Sequence, residues 1–398
     1  MKYKLKDICL TVTDGSHFSP KGVFEGYPMF SVKDMLEYGF DYSNCKRISR
    51  EDYKKMESSG CVPQKGDILV AKDGSYLKEI FVCEKTKEEA ILSSIAIFRP
   101  NQDVVTPYYL NYLLKSPKVY NYISSNCVSG SALPRIVLKT FREVELDVPS
   151  LDIQDKVVTI LKSIDDKIRL NSKINDNLTQ QARSLYQAWF VDYEPFGGSA
   201  PSDWTNVSLG QVAIMKTDSW SPVKNPDDVV EHYSIPAYDE QHYPVFESAT
   251  DIKSNKYILT PDSVMISKLN PDTKRIWRPM CLSANPVCST EFIVYEARKN
   301  DQKDFIYSIL DSVPFFNYLC AHTTGSTNSR QRATPKATLD FSFQLPPDNV
   351  IKDFCQLVTP MYDLITSNIV ENQSLAKTRD SLLPRLMSGE LDVSNLDI

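Results

Sequence analysis

Glycine is scarce in this chain, 13 of 398 residues, and histidine is scarcer, with four. So little glycine excludes collagen-like and glycine-linker architectures, and 24 scattered prolines exclude a low-complexity chain. Four histidines do not supply a histidine-rich metal centre. The nine cysteines (Cys9, Cys45, Cys61, Cys83, Cys127, Cys281, Cys288, Cys320 and Cys355) are odd in number and contain no C-x-x-C pair. They read as free thiols, mostly buried, in a reducing compartment, and imply no structural metal. No run approaches the roughly 18 uninterrupted apolar residues of a membrane span, and Lys6 and Asp7 interrupt any signal-peptide core. A soluble, cytoplasmic protein is expected.

Catalytic signatures are missing as well. Neither G-x-G-x-x-G nor G-x-x-x-x-G-K-[ST] occurs, so no nucleotide-phosphate loop is visible. H-E-x-x-H and G-x-S-x-G are absent. So is the N/D-P-P-[YF] segment with which an amino-methyltransferase grips its target base; LPPD (345–348) reads as a strand end. Asp272-Thr273-Lys274 lacks the second acidic residue a nuclease needs, and His17 and His322 read as turn or surface residues. The sequence offers no catalytic site.

What is present is an ordinary globular composition, 42% apolar and 24% charged, in a length that suggests two or three domains. The net charge of −6 mildly disfavours a nucleic-acid partner. It is unevenly spread: +2 over residues 1–150, −1 over 151–198, −3 over 199–346 and −4 over 347–398. Any DNA-binding surface must therefore be local.

The chain also repeats itself. GDILVAKDGS (66–75) is echoed by PDSVMISKLN (261–270), LSSIAIFRP (92–100) by CSTEFIVYE (288–296), and VSGSALPR (128–135) by TTGSTNSR (323–330), at offsets near 196. Each copy mixes short apolar alternations with turn clusters and helical patches, which reads as a mixed α/β (α+β) domain. Each ends in a proline-stopped strand, ELDVPS (145–150) or SFQLPPD (342–348). A long helix follows each copy. In the first, Val157, Ile164, Asn171, Leu178 and Leu185 recur every seven residues, with Ile160 and Ile174 between them and polar Lys167 and Gln181 at the same intermediate phase. In the second, Phe354, Met361, Asn368, Leu375 and Leu382 recur likewise, with Leu357 and Leu364 between them. An asparagine falls at the same heptad position in both. A buried Asn there costs stability but fixes register and partner. The simplest arrangement is an antiparallel coiled coil of the two helices, with the asparagines near each other. The first helix is expected over 153–190, and Pro384 should end or kink the second near Leu383. The division is then a first domain over 1–150, helix and linker over 151–198, a second domain over 199–347, and helix and tail over 348–398.

Polar and basic residues cluster in equivalent loops. Lys72, Asp73 and Ser75 follow one apolar strand; Lys268, Asn270, Lys274, Arg275 and Arg278 follow its echo. After the Gly-Ser loops stand Arg135 and Lys139, and in the second copy Asn328, Arg330, Gln331, Arg332 and Lys336. Such side chains read guanine and adenine edges or hold phosphates. Taken singly, each could equally be an ordinary solvated loop residue.

At the helices the chain resembles a known family. LDIQDKVVTILKSIDDKIRLNSKINDNLTQQARSLYQAWFVDYEPF (151–196) is similar to the central conserved region of the DNA-specificity subunits of type I restriction–modification systems. SLAKTRDSLLPRLMSGELDV (374–393) resembles their C-terminal conserved region, and DGSHFSPKGVFEGYPMFSVKDM (14–35) their target-recognition domains, which adds Ser16 and His17 to the DNA-contact candidates. The resemblance spans essentially the whole chain. It implies two target-recognition domains on an antiparallel helix pair, each reading one half of a split DNA site about one helical turn (about 34 Å) apart. TDSWSPVKNPDDVVEHYSIPAYDE has little counterpart in the first copy, so the target should be asymmetric. The resemblance also implies no chemistry in this chain. Methylation, with S-adenosylmethionine, would belong to two methyltransferase subunits docked on polar helix faces such as Lys162, Asp166, Lys173 and Asp176. ATP- and Mg²⁺-dependent cleavage would belong to restriction subunits, and base flipping to the partners. Two other readings compete: a scaffold of the same fold without sequence specificity, and a nuclease or modification enzyme with an unrecognised site.

Overall fold

The computed structural model describes residues 1–130, 134–324 and 331–397. They form two compact units, residues 1–167 with 375–398 and residues 168–374. All nine cysteines are free, and five of them are buried. No helix among the described residues is long and apolar enough to cross a membrane.

In the first unit the central sheet has four antiparallel strands in the order Cys9–Asp14, Ile95–Pro100, Ile68–Ala71 and Ile80–Val82. Every residue of Ile68–Ala71 is buried because both sheet faces are covered. Ile68 and Val70 face a core completed by helix Pro107–Lys115, while Leu69 and Ala71 face a smaller one with Phe30, Phe40 and Phe81. Helices Pro107–Lys115 and Pro117–Asn126 each open on proline, whose fixed φ suits a first helical position. A three-stranded sheet joins Lys46–Ile48, Tyr27–Phe30 and Ala90–Ile91. Strand Lys2–Lys4 pairs antiparallel with Glu145–Asp147, tying the amino end to the segment that leads into the long helix.

The second unit repeats this plan. Its four-stranded sheet runs Ala213–Lys216, Phe292–Ala297, Ser263–Ser267 and Ile276–Trp277. Again the central strand serves two cores: Val264 and Ile266 face one, Met265 the other. Thr205–Ser208 pairs with Ser342–Leu345 as Lys2–Lys4 does with Glu145–Asp147. The accessory sheet has five strands here against three in the first unit. Its two extra strands are Ser219–Trp220 and Lys256–Ile258, which pair with each other at one edge.

The long helices are Leu151–Phe190 and Asp348–Ser388, each roughly 60 Å at 1.5 Å per residue. The first begins two residues before its expected start. Its opening turn is pinned by Gln154, which is fully buried, accepts from the Thr106 amide (2.8 Å) and donates to the Val104 (2.9 Å) and Pro149 (3.0 Å) carbonyls. Each helix contributes to both units, so the compact units do not follow the four-part division by sequence. Pro384 does not end the second helix, which continues to Ser388; Leu383 and Leu386 on either side are buried in the first unit's core. Pro360 likewise lies inside this helix.

The helices pair antiparallel: Asp165 meets Arg379, Asn171 meets Asn372, Asn175 meets Asn368, and the Tyr186 ring packs 6.1 Å from that of Phe354. Val157 and Phe354 are buried, and Ile164, Leu178, Leu185, Met361, Leu375 and Leu382 are partly buried. The residues between them differ from the expected set. Leu357 and Leu364 are exposed, whereas Leu161, Ala182 and Val358 are buried, so the second line of contact lies four residues on rather than three. A helix that packs on its own domain as well as on its mate buries a wider stripe than a coiled-coil seam. The two key asparagines also do not bond to each other. Asn171 donates to Glu371 (2.7 Å) and Asn372 (2.9 Å), while Asn368 donates to Asn175 (2.8 Å). Shifting Asn171 and Asn175 by the 197-residue repeat gives Asn368 and Asn372. The two cross-helix contacts are therefore equivalents of each other.

Candidate nucleic-acid interface

In both units the buried central strand runs out into a turn, and a short hairpin docks on that turn through the backbone. In the first unit the Ile136 amide donates to the Lys72 carbonyl (2.9 Å) and the Gly74 amide to the Pro134 carbonyl (2.8 Å). In the second, Ala333 donates to Lys268 (2.8 Å) and Asn270 to Gln331 (2.9 Å). Gly74 and Asn270 both have positive φ, +67° and +47°. Glycine is unstrained in that conformation and asparagine tolerates it better than most residues, which explains why the repeat conserves the bend while changing the residue.

This geometry aligns Arg135 with Arg332 rather than with Arg330. Ser129 pairs with Arg135 and Thr324 with Arg332, so the second hairpin is two residues longer than the first. Arg330 and Asn328 lie outside the described residues.

The candidate contact residues divide into two groups. Ser75, Arg135 and Lys139 are exposed in the first unit, as are Arg332 and Lys336 in the second. Lys139 and Lys336 sit on equivalent short helices, Leu138–Phe141 and Pro335–Thr338, next to their hairpins. Arg332 makes a two-pronged contact with Glu291 (3.1 and 3.2 Å), which raises its pKa, yet its side chain remains half exposed. Lys268 is half-buried behind the hairpin. Ser16 is half-buried and holds a tight turn, donating to the Phe18 carbonyl (2.8 Å) and accepting from its amide (3.1 Å). His17 is well exposed, with Nε2 3.5 Å from Asp14.

The other group is committed inside the protein. Lys72 is buried and ion-paired with Asp14 at 2.5 Å. Lys274 is bound to both the carboxylate and the carbonyl of Asp311, and burial lowers its pKa against the opposing pull of that carboxylate. Arg183 grips the same Asp311 (2.6 and 3.0 Å). Arg275 is bidentate on Asp239 (2.6 and 2.9 Å), and Arg278 joins Asp304 (2.7 Å) to Asp363 (2.8 Å). Lys72 is thus tied up in the first unit, and Lys274, Arg183, Arg275 and Arg278 brace the second against aspartates on its helices. Asn270 acts through its backbone; its side-chain Oδ1 is buried, with no hydrogen-bond partner among the described residues. Asp73 Oδ1, at the neighbouring position of the first turn, is in the same condition.

On the helices, Lys162 pairs with Asp166 and stacks 5.1 Å from the Tyr108 ring, while Lys173 and Asp176 are exposed. A brace that sequence reasoning missed lies in the first unit. Asp165, 7% exposed, accepts from the Tyr112 hydroxyl (2.6 Å), Arg379 (2.9 Å) and the Tyr38 hydroxyl (3.3 Å). Its only signal in the sequence was an aspartate on the apolar face of a helix.

Residues 1–180 match the family described as the type I restriction modification DNA specificity domain. The chain is 23% identical to the type I restriction enzyme HindI specificity subunit of Haemophilus influenzae, over 98% of this chain and 99% of that one. It is 26% identical to the MjaIX specificity subunit of Methanocaldococcus jannaschii, over 74% of this chain and 71% of that one. Among solved structures it is similar in fold to a type I restriction–modification S subunit from M. genitalium, with a TM-score of 0.59 at 16% identity, covering 97% and 95% of the two chains.

Proposed function

We propose that the chain, whose residues 1–180 match the type I restriction modification DNA specificity domain and which is similar to type I specificity subunits over nearly its whole length, is the sequence-reading subunit of a type I restriction–modification complex in the cytoplasm. Each recognition domain reads one half of a split target on double-stranded DNA, and the paired long helices act as the ruler for the unread spacer. The observation that carries this reading is the turn-and-hairpin surface, constructed twice on the same backbone hydrogen bonds and presenting an equivalent arginine and lysine each time. One copy presents Ser75, Arg135 and Lys139, the other Arg332 and Lys336. Arginine on the hairpin and lysine on the short helix beside it suit guanine edges and phosphates. Hairpins that differ in length by two residues suit an asymmetric site.

The role is recognition, not catalysis. Two methyltransferase subunits, bringing S-adenosylmethionine, dock on the polar helix faces. Restriction subunits bring the ATP- and Mg²⁺-dependent steps. With an acidic net charge, the chain alone binds DNA weakly and salt-sensitively, and the partner subunits complete the grip on the duplex.

Genome-wide adenine-methylation mapping of the source organism, with and without the gene, tests the proposal. Deletion should erase methylation at one split, asymmetric motif. Arg135→Ala should then relax one half of that motif and Arg332→Ala the other. An unchanged methylation pattern on deletion would refute the reading.

A further inference from the structure

We propose that residues 16–26 of the first unit form a second DNA-reading element, in which Phe18 and Phe24 pack against bases of the half-site read by that unit. The inference rests on the DNA-reading function above and names residues which that function does not require. Phe24 is 96% exposed and Phe18 67%, the two most exposed large aromatic side chains among the described residues. Neither contributes to a core, and each keeps a large apolar face in water.

The loop that carries them is held firmly. Ser16 closes a tight turn on Phe18, Lys46 reaches the Ser19 hydroxyl (2.9 Å), the Val23 amide donates to the Arg47 carbonyl (2.9 Å), and Arg47 returns a bond to the Gly26 carbonyl (3.0 Å). Gly26 lies so close to the neighbouring strand that a Cβ would come 2.2 Å from the Ile48 carbonyl oxygen. The phenylalanines are thus presented by a pinned loop that carries Lys21 and lies against Lys46 and Arg47 of the neighbouring strand.

The loop is continuous with the candidate interface. Asp14 binds Lys72, at the root of the turn, and also lies beside His17. The Ser93 amide donates to the Ser16 carbonyl (2.9 Å), and the Lys72 amide to the carbonyl of adjacent Ser94 (2.9 Å).

The second unit supplies an internal control. Its corresponding Trp220-Ser221-Pro222 has the same aromatic-Ser-Pro order as Phe18-Ser19-Pro20, but Trp220 turns inward. It is 8% exposed, packs with Val230, Ala249, Ile252 and Val287, and donates from Nε1 to Asp228 (2.9 Å). An aromatic at this place serves folding in one unit and is released from it in the other. A pinned apolar ring beside phosphate-binding cations suits the face or edge of a base, and aromatic wedges of this kind partly unstack base steps.

The test uses Phe18→Ala, Phe24→Ala and the double variant in the full chain, first in the organism and then as the complex with its methyltransferase subunits. The half-site belonging to this unit is the one relaxed by Arg135→Ala. The double variant should bind the mapped duplex about tenfold or more weakly. Its slope of affinity against salt should be unchanged, because an apolar contact releases no counterions, whereas Lys21→Ala should flatten that slope. A 2-aminopurine placed in the same half-site should brighten on binding wild type and not the variant. Phe24→Leu, which keeps bulk without a π face, should fall between the two, and melting should be unaltered. Full methylation and unchanged affinity in the double variant would overturn the inference while leaving the specificity role intact. Loss of the methyltransferase subunits on purification would assign the phenylalanines to a protein interface and overturn it too. If gene deletion itself leaves methylation untouched, the functional reading has failed first.

Discussion

Arg379→Ala should unseat the first unit's helix packing, and the size of the effect follows from what remains behind. Asp165 is almost fully buried and takes three donors, from Tyr112, Arg379 and Tyr38; Arg379 also reaches Glu37 (3.3 Å). Burial opposes the guanidinium charge, and the Asp165 carboxylate more than offsets it, so the Arg379 pKa is raised. Burial together with the same carboxylate raises the Tyr112 pKa, which keeps that hydroxyl a donor. Truncating one partner of a buried pair leaves the other charge uncompensated and costs about 3–5 kcal/mol. Two tyrosine donors persist, so the low end, about 3 kcal/mol, is expected. At about 2–4 °C per kcal/mol for a unit of this size, the first unit should melt roughly 6–12 °C lower. All four tryptophans, Trp189, Trp204, Trp220 and Trp277, lie in the second unit, so tryptophan fluorescence does not report the change directly. Hydrogen exchange over helices Pro107–Lys115 and Pro117–Asn126 does, and should accelerate. Asp165→Leu combined with Arg379→Leu should recover most of the loss, since an apolar pair leaves no stranded charge. A shift below 1 kcal/mol in the single variant, or a double variant as unstable as the single, would refute the reasoning.

Three further outcomes are expected. Asn171→Leu with Asn368→Leu should keep helical content but loosen register, broadening the spin-label distance distribution between positions 173 and 367; a single narrow distribution would count against the asparagine contacts as register pins. Lys303 has its pKa pushed down to about 8, by burial first and the Arg278 charge second. Its charged form is thus disfavoured by folding, and stability should rise with pH between about 8 and 10.5, where only the unfolded chain still holds the proton. Lys303→Met should therefore stabilise the protein at pH 7 and flatten that rise in thermal melts. Gly74→Val places a β-branched residue at φ +67° and should cost about 1–2 kcal/mol locally, seen as faster exchange of the Ile136 amide, while Asn270→Gly should be tolerated.

The repeat, the strand ends and both long helices were legible because periodicity and proline placement are local signals. Pro149 and Pro346 mark the strand ends, and seven-residue spacing marks the helices. The identity of the free cations was not legible. Lys72 and Asp14 are 58 residues apart and Lys274 and Asp311 are 37 apart, so only the fold reveals that these lysines are already neutralised. The phase of the second contact line was missed for a related reason. A heptad template assumes one partner per helix, whereas Leu161 and Val358 also pack on their own domains. The two-residue difference between the hairpins was hidden because Gly-Ser is common to both, and only the strand register shows that Arg135 corresponds to Arg332. The accessory sheet's extra pair, Ser219–Trp220 and Lys256–Ile258, was missed because strands of two and three residues are too short to show a period.

The division of the helices between the units has a consequence for synthesis. The first unit includes residues 375–398, so it is begun first and completed last. Residues 168–374 must emerge in between, a delay of roughly 10–40 s at about 5–20 residues per second. During that interval Val157, Leu161 and Asp165 await Arg379, Leu383 and Leu386, the residues that will cover them. A nascent chain stalled before residue 375 should therefore expose an apolar helix face to chaperones and proteases, even though the whole recognition surface of its first domain has already been made.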